Sequence, residues 1–225
     1  MESRMTRRET LLALLWLPVH VFGLPLLGSA LYQRGTLTLG QINLLVYGIG
    51  ALYMVAVQFC FLRRDFDTLC DNAPEIFIVV LRSFALLFIS SLAVTGLFER
   101  VGLTQNENND AVYAMATAEF GPIAAAAAIL APIVEECIFR GAIFGGLRRK
   151  NRALAYIVSV TLFSLYHVWE SAIFDPTQLW YLVQYIPASL ILARCYERCD
   201  SIWGVIFVHM LNNGLPLLAV AFLNV

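Results

Sequence analysis

Residues 120–147 read FGPIAAAAAILAPIVEECIFRGAIFGGL. This is 28 residues of almost uninterrupted apolar character, with Glu135, Glu136 and Arg140 set inside it. A helix needs about 20 mostly apolar residues to cross a bilayer. A charge at its middle costs about 2.5–3.5 kcal/mol on insertion scales. The stretch therefore predicts a membrane helix in which three costly side chains are retained for a purpose. Glu136 and Arg140 are four apart and share a helical face, so they can pair. Glu135 is turned about 100° away and lacks that partner.

The rest of the chain agrees. Of its 225 residues, 60% are hydrophobic and 14% charged, against about 25% charged in soluble domains. A soluble globule of this size has too much surface for its volume to hide so many apolar groups. A net charge of -1 offers no surface for nucleic acid. Further apolar runs are Thr10 to Gln33, Gly35 to Leu62, Ile76 to Phe98 (broken by Arg82), Ala153 to Trp169, Pro176 to Ala193 and Ser201 to Val225. The fold class is all-α: a polytopic transmembrane helix bundle of about seven spans. The first run exceeds a signal-peptide core of 7–15 residues and is taken as a retained helix. Residues 1–225 are expected to form one integral membrane domain.

Lys and Arg in the loops set the orientation. Alternate loops carry eleven against two. The amino terminus is expected in the cytoplasm and the carboxyl terminus outside. Reporter fusions after Lys150 and after Val225 should then report opposite compartments. The run Gln105 to Asp110 reads as a solvated loop.

Two histidines are also inside apolar runs. His167 follows Phe163 by four, and His209 precedes Asn213 by four, so each pair shares a face. At about 1.5 Å per residue, Glu135, His167, His209 and Asn213 all fall about 16–22 Å from the positively charged helix ends. Side chains placed only for packing have no need to agree in depth. His20, in the first run, has no polar company in the sequence and reads as a packing residue.

The order Glu135-Glu136-x-x-x-Arg140, Phe163-x-x-x-His167, His209-x-x-x-Asn213 on successive helices resembles the CAAX protease and bacteriocin-processing (Abi) family of intramembrane proteases. Residues 122–214 carry the resemblance. Family members often have eight spans against the seven read here. The resemblance implies hydrolysis of a peptide bond within a membrane-embedded or membrane-anchored peptide or protein. It makes Glu135, His167, His209 and Asn213 the catalytic set: Glu135 the base, His167 a partner holding the water, His209 and Asn213 facing the carbonyl oxygen. Glu136, Arg140 and Phe163 support them. Glu135, His167 and His209 also form a two-His, one-carboxylate set of the kind that holds catalytic zinc. Metal-free activation of water by the glutamate is the preferred expectation, since HExxH is absent. A proton-coupled transporter or channel suits the same buried groups, and a non-proteolytic immunity or scaffold protein is a third reading. A prokaryotic cytoplasmic membrane is the expected location.

Overall fold

The computed structural model describes residues 4–223. Among them are nine helices and no strand. They are α1 (Arg7–Gln33), α2 (Leu39–Val57), α3 (Phe59–Asp71), α4 (Ala73–Val101), α5 (Glu107–Ala118), α6 (Phe120–Arg148), α7 (Arg152–Phe174), α8 (Leu182–Cys199) and α9 (Ile202–Leu223). Six of them are long and apolar enough to cross a membrane: α1, α2, α4, α6, α7 and α9. The protein is thus an integral membrane helix bundle.

The expected span at residues 176–193 takes a different form. Its first residues, Pro176–Tyr181, wind as a 3₁₀ turn, and α8 has 18 residues. Gln184, Arg194, Glu197 and Arg198 dilute its apolar character. It nonetheless runs back along α7. Its end bonds the start of α7 through Glu197 and Arg152 at 2.6 Å. Six helices are thus long and apolar enough to cross, and α8, which is not among them, packs back along α7.

The second expected span is also shorter. The helix breaks at Gln58 (φ -116°, ψ 18°), and α3 starts afresh. Phe61 and Leu62 are buried in α3 while Arg63, Asp67 and Asp71 stay outside the core, the one-sided pattern of a surface helix. Residues 105–110 are likewise less of a loop than expected. Asn106 is buried and caps α5, accepting from Asn109 N at 3.3 Å.

Polar contacts gather the helix ends into two levels. At one level Glu9 of α1 accepts from Phe61 N (3.2 Å), Asp65 of α3 accepts from Ile202 N (2.8 Å), and Arg148 pairs with Asp200 (3.1 Å). These are the ends that carry eleven of the loop cations. At the other level Thr38 donates to Glu119 (2.6 Å) and Glu107 N donates to Gln178 (3.3 Å). The two-sided charge distribution read from the sequence is therefore a two-sided arrangement of helix ends.

α6 is the central helix. Gly50 lets α2 lie against it: a Cβ there would sit 3.0 Å from Val134 Cγ2. At α9 Gly214 lies beside Ala128, with room for ordinary contact: an added Cβ would be 3.7 Å from Ala128 Cβ. Close approach through small side chains is how membrane helices gain packing without help from the hydrophobic effect.

Candidate active site

α6 is not a regular α-helix. Two π-helical turns, Ala125–Leu130 and Cys137–Phe144, flank the α-helical Ala131–Glu136 that carries both glutamates. Pro132 explains the first. The Ala131 N–H reaches back to Ala126 O, so the next carbonyl, Ala127 O, could be met only by residue 132. Proline has no N–H to give. A carbonyl orphaned in a membrane interior costs free energy unless another donor reaches it. Asn213 of α9 supplies that donor: its Nδ2 is 3.0 Å from Ala127 O. In the second π turn Ser159 of α7 adds a side-chain donor to Phe139 O, at 2.9 Å. Single π turns of this kind often mark functional sites.

Between the two turns the expected residues meet. Glu135 Oε2 is 3.9 Å from His167 Nε2 and 3.8 Å from His209 Nε2. It is buried and has no hydrogen-bond partner. His167 holds its other nitrogen, Nδ1, 2.9 Å from Phe163 O. A carbonyl can only accept, so Nδ1 is the protonated nitrogen and neutral His167 turns a bare Nε2 towards Glu135. Glu135, His167, His209 and Asn213 all face one cavity of about 650 Å³.

Glu136 and Arg140 are fully buried behind it. Arg140 Nη1 donates to Glu136 Oε1 at 3.0 Å, and Nη2 donates to Ser189 O (3.0 Å) and Oγ (2.9 Å) on α8. The guanidinium also lies 4.2 Å from the centre of the Phe163 ring, a cation–π contact. The Phe163 ring also meets that of His167, with ring centres 4.5 Å apart. Phe163 thus touches both Arg140 and His167.

Three connections are not visible in the sequence. The same Glu136 Oε1 accepts from His209 Nδ1 at 2.7 Å, so Glu136 orients a site histidine as well as pairing with Arg140. Tyr185 of α8 stacks on His167, ring centres 4.6 Å apart, and bonds Asn106 and Asn108 through its hydroxyl. The asparagines of residues 105–110 are the signal for that cover. Lastly, His20 does have polar company: its Nε2 is 3.2 Å from the Tyr166 hydroxyl, itself 3.2 Å from that of Tyr47.

The donor set was tested against zinc. Zinc bonds of about 2.0–2.1 Å at tetrahedral angles place ligand atoms about 3.4 Å apart. The separations of 3.8 and 3.9 Å are wider. Among the described residues no group of three His, Cys, Asp or Glu is spaced to hold a metal ion. The residues as placed do not fit the ion.

Residues 117–215 match the family described as "Type II CAAX prenyl endopeptidase Rce1-like". Similar proteins include the "UPF0177 protein in abiGi 5'region" of Lactococcus lactis subsp. cremoris, 35% identical over 44% of this chain and 38% of that protein. "UPF0177 protein YaiH" of Lactococcus lactis subsp. lactis is 35% identical over 43% of this chain and 37% of its own length. "Putative membrane peptidase YdiL" of Bacillus subtilis is 35% identical over 38% of this chain and 32% of its length. The chain thus spans under two fifths of these three relatives. No solved structure matches. Glu135, Glu136, Arg140, Phe163, His167, His209 and Asn213 all fall inside the matched segment, which makes up under half of the chain and is similar to the Rce1-like CAAX prenyl endopeptidases.

Proposed function

We propose that this protein is an intramembrane endopeptidase that cleaves a membrane-embedded or membrane-anchored peptide with a water activated by Glu135. The observation that carries this is the gap between Glu135 Oε2 and His167 Nε2. At 3.9 Å it is too long for a hydrogen bond, and one water can bridge it. Such a water gives one hydrogen to each acceptor and turns a lone pair to the cavity. Glu135 takes the proton as the oxygen attacks the peptide carbonyl, then passes it to the departing amine.

His209 stands between two carboxylates, Glu135 at 3.8 Å and Glu136 at 2.7 Å. Arg140 balances only one of them. With a proton on Nε2, His209 presents a donor to the carbonyl oxygen as negative charge develops. Asn213 has two amide hydrogens and commits one to Ala127 O; the second is available to the same oxygen. Glu136 and Arg140 hold the arrangement. No step passes through a metal.

The test is cleavage by purified protein in nanodiscs of a quenched-fluorophore peptide with about twenty apolar residues. Glu135→Gln is nearly isosteric and should insert normally while losing about 10²–10⁴ in rate. Combining it with His167→Ala should add little, because groups acting as a unit are not additive. Activity is expected to survive a chelator. Wild-type cleavage by Glu135→Gln removes the assignment, and the proton-coupled transporter then becomes the better reading of these buried groups.

A further inference from the structure

The cavity of Glu135 has a wall from outside the family-matched segment. His20 of α1 and Tyr47 of α2 line it together with Tyr166 of α7. Their polar atoms form a chain, His20 Nε2 to Tyr166 Oη to Tyr47 Oη, each step 3.2 Å. Counting hydrogens gives the chain a direction. Neutral imidazole has one N–H, and each tyrosine hydroxyl has one hydrogen.

His20 is 3% exposed, and its Nδ1 has no partner. A buried ring N–H with nothing to accept it is rarer in folded proteins than an under-used acceptor. The proton is therefore on Nε2, and His20 donates to Tyr166. Three hydrogens then serve two contacts, and one hydroxyl hydrogen is left over. A hydroxyl that accepts becomes a stronger donor, so Tyr166 passes its hydrogen to Tyr47. The surplus hydrogen is that of Tyr47, on the cavity wall shared with Glu135.

We infer that Tyr47 is a further catalytic residue, whose hydroxyl donates to the carbonyl oxygen of the bond being cleaved, and that Tyr166 and His20 position it. This rests on the endopeptidase reading above. An oxyanion is stabilised best by fixed donors aimed at it from more than one side. His209 and Asn213 approach from α9; the tyrosine pair approaches from α2 and α7. The first two helices would then complete the site and not merely enclose it.

The test uses the full chain in nanodiscs with the same quenched apolar peptide. Tyr47→Phe with Tyr166→Phe removes both hydroxyls and should lower kcat about 100-fold, with KM within about threefold. Each single change should cost less, because the remaining hydroxyl can still donate. Wild-type kcat in the double variant overturns the inference. Glu135→Gln in the same assay keeps the two readings apart. If it is inactive while the double variant is active, only the tyrosine role fails; if it cleaves at the wild-type rate, both fail. Should the double variant not fold, a polyfluorinated tyrosine at position 47 decides. It keeps the shape and makes the hydroxyl more acidic, so the alkaline limb of the pH–rate profile should move to lower pH. An unmoved limb overturns the donor role.

Discussion

α6 and the helices around it are equally apolar in sequence but differ in what their residues meet. In α6, 56% of the apolar window is buried inside the protein; in the other five apolar spans the figure is 17–28%. Leu52 of α2, 73% exposed, and Leu26 of α1, 72% exposed, need only be compatible with lipid. Arg140, at 0%, must find every partner inside the protein. A peripheral span is thus specified loosely, by hydropathy. The central span is specified by donors and acceptors, and every polar error there is charged at membrane rates. That is why chemistry can be housed in α6: its side chains have nowhere else to go.

The sharpest way to break this contrast is Arg140→Ala. It leaves Glu136 buried with its charge unbalanced, at a cost of about 3–5 kcal/mol. The amount of folded protein in membranes should fall steeply, while Leu52→Ala should change nothing measurable. Adding Glu136→Gln to Arg140→Ala should restore abundance. It should not restore cleavage, because Glu136 also holds His209 Nδ1 at 2.7 Å. Normal abundance of Arg140→Ala without cleavage would move Arg140 from support into the chemistry.

A smaller effect tests the π turns. Asn213→Ala strands the Ala127 carbonyl of α6, and Ser159→Ala takes the side-chain donor from its Phe139 carbonyl. Membrane hydrogen bonds are worth about 0.5–2 kcal/mol, and both variants should unfold that much more easily on heating in detergent. Asn213→Ala alone should also lose kcat beyond what its stability explains, since only its second amide hydrogen faces the cavity. Equal activity in the two variants would leave Asn213 a brace for the helix.

The same contrast governs what could be read in advance. The bundle was legible because hydropathy is a local property. Glu135, His167 and His209 were legible because charged and polar groups in apolar runs are costly enough to stand out. Glu136 stood out too, yet its second bond, to a residue 73 positions away, has no local trace. His20 looked solitary for the same reason: its partner is 146 residues distant. Tyr47 and Tyr166 are ordinary residues for membrane helices, so nothing singled them out. Pro132 was visible, but the carbonyl it orphans matters only once α9 brings Asn213 beside it. The break at Gln58 was hidden because the apolar run continues through Phe59 and Leu62 into a helix of different orientation.

The smallest expected effect lies where the bundle meets water. Glu197 accepts from Arg152 at 2.6 and 2.9 Å, from Arg194 at 2.6 Å and from Tyr156 at 2.8 Å. In bond count this cluster matches the Glu136 cluster, yet Arg152 is 62% exposed. Water screens it, so a pair this exposed adds little to stability. The hydrogen bond from Arg152, then those from Tyr156 and Arg194, hold the Glu197 carboxyl down at about 2, against about 4.3 for a free glutamate. A carboxyl lowered on folding adds stability that is complete above its unfolded value and fades as the pH falls through its folded value. The gap in melting temperature between wild type and Glu197→Gln should therefore be present at pH 7, shrink below about pH 4 and close near pH 2. A gap as large as that of Arg140→Ala would mean that this end of the bundle is as dry as the centre of α6, and that the contrast between core and periphery is misplaced. A gap that is small but independent of pH would leave the contrast intact and assign Glu197 to packing alone.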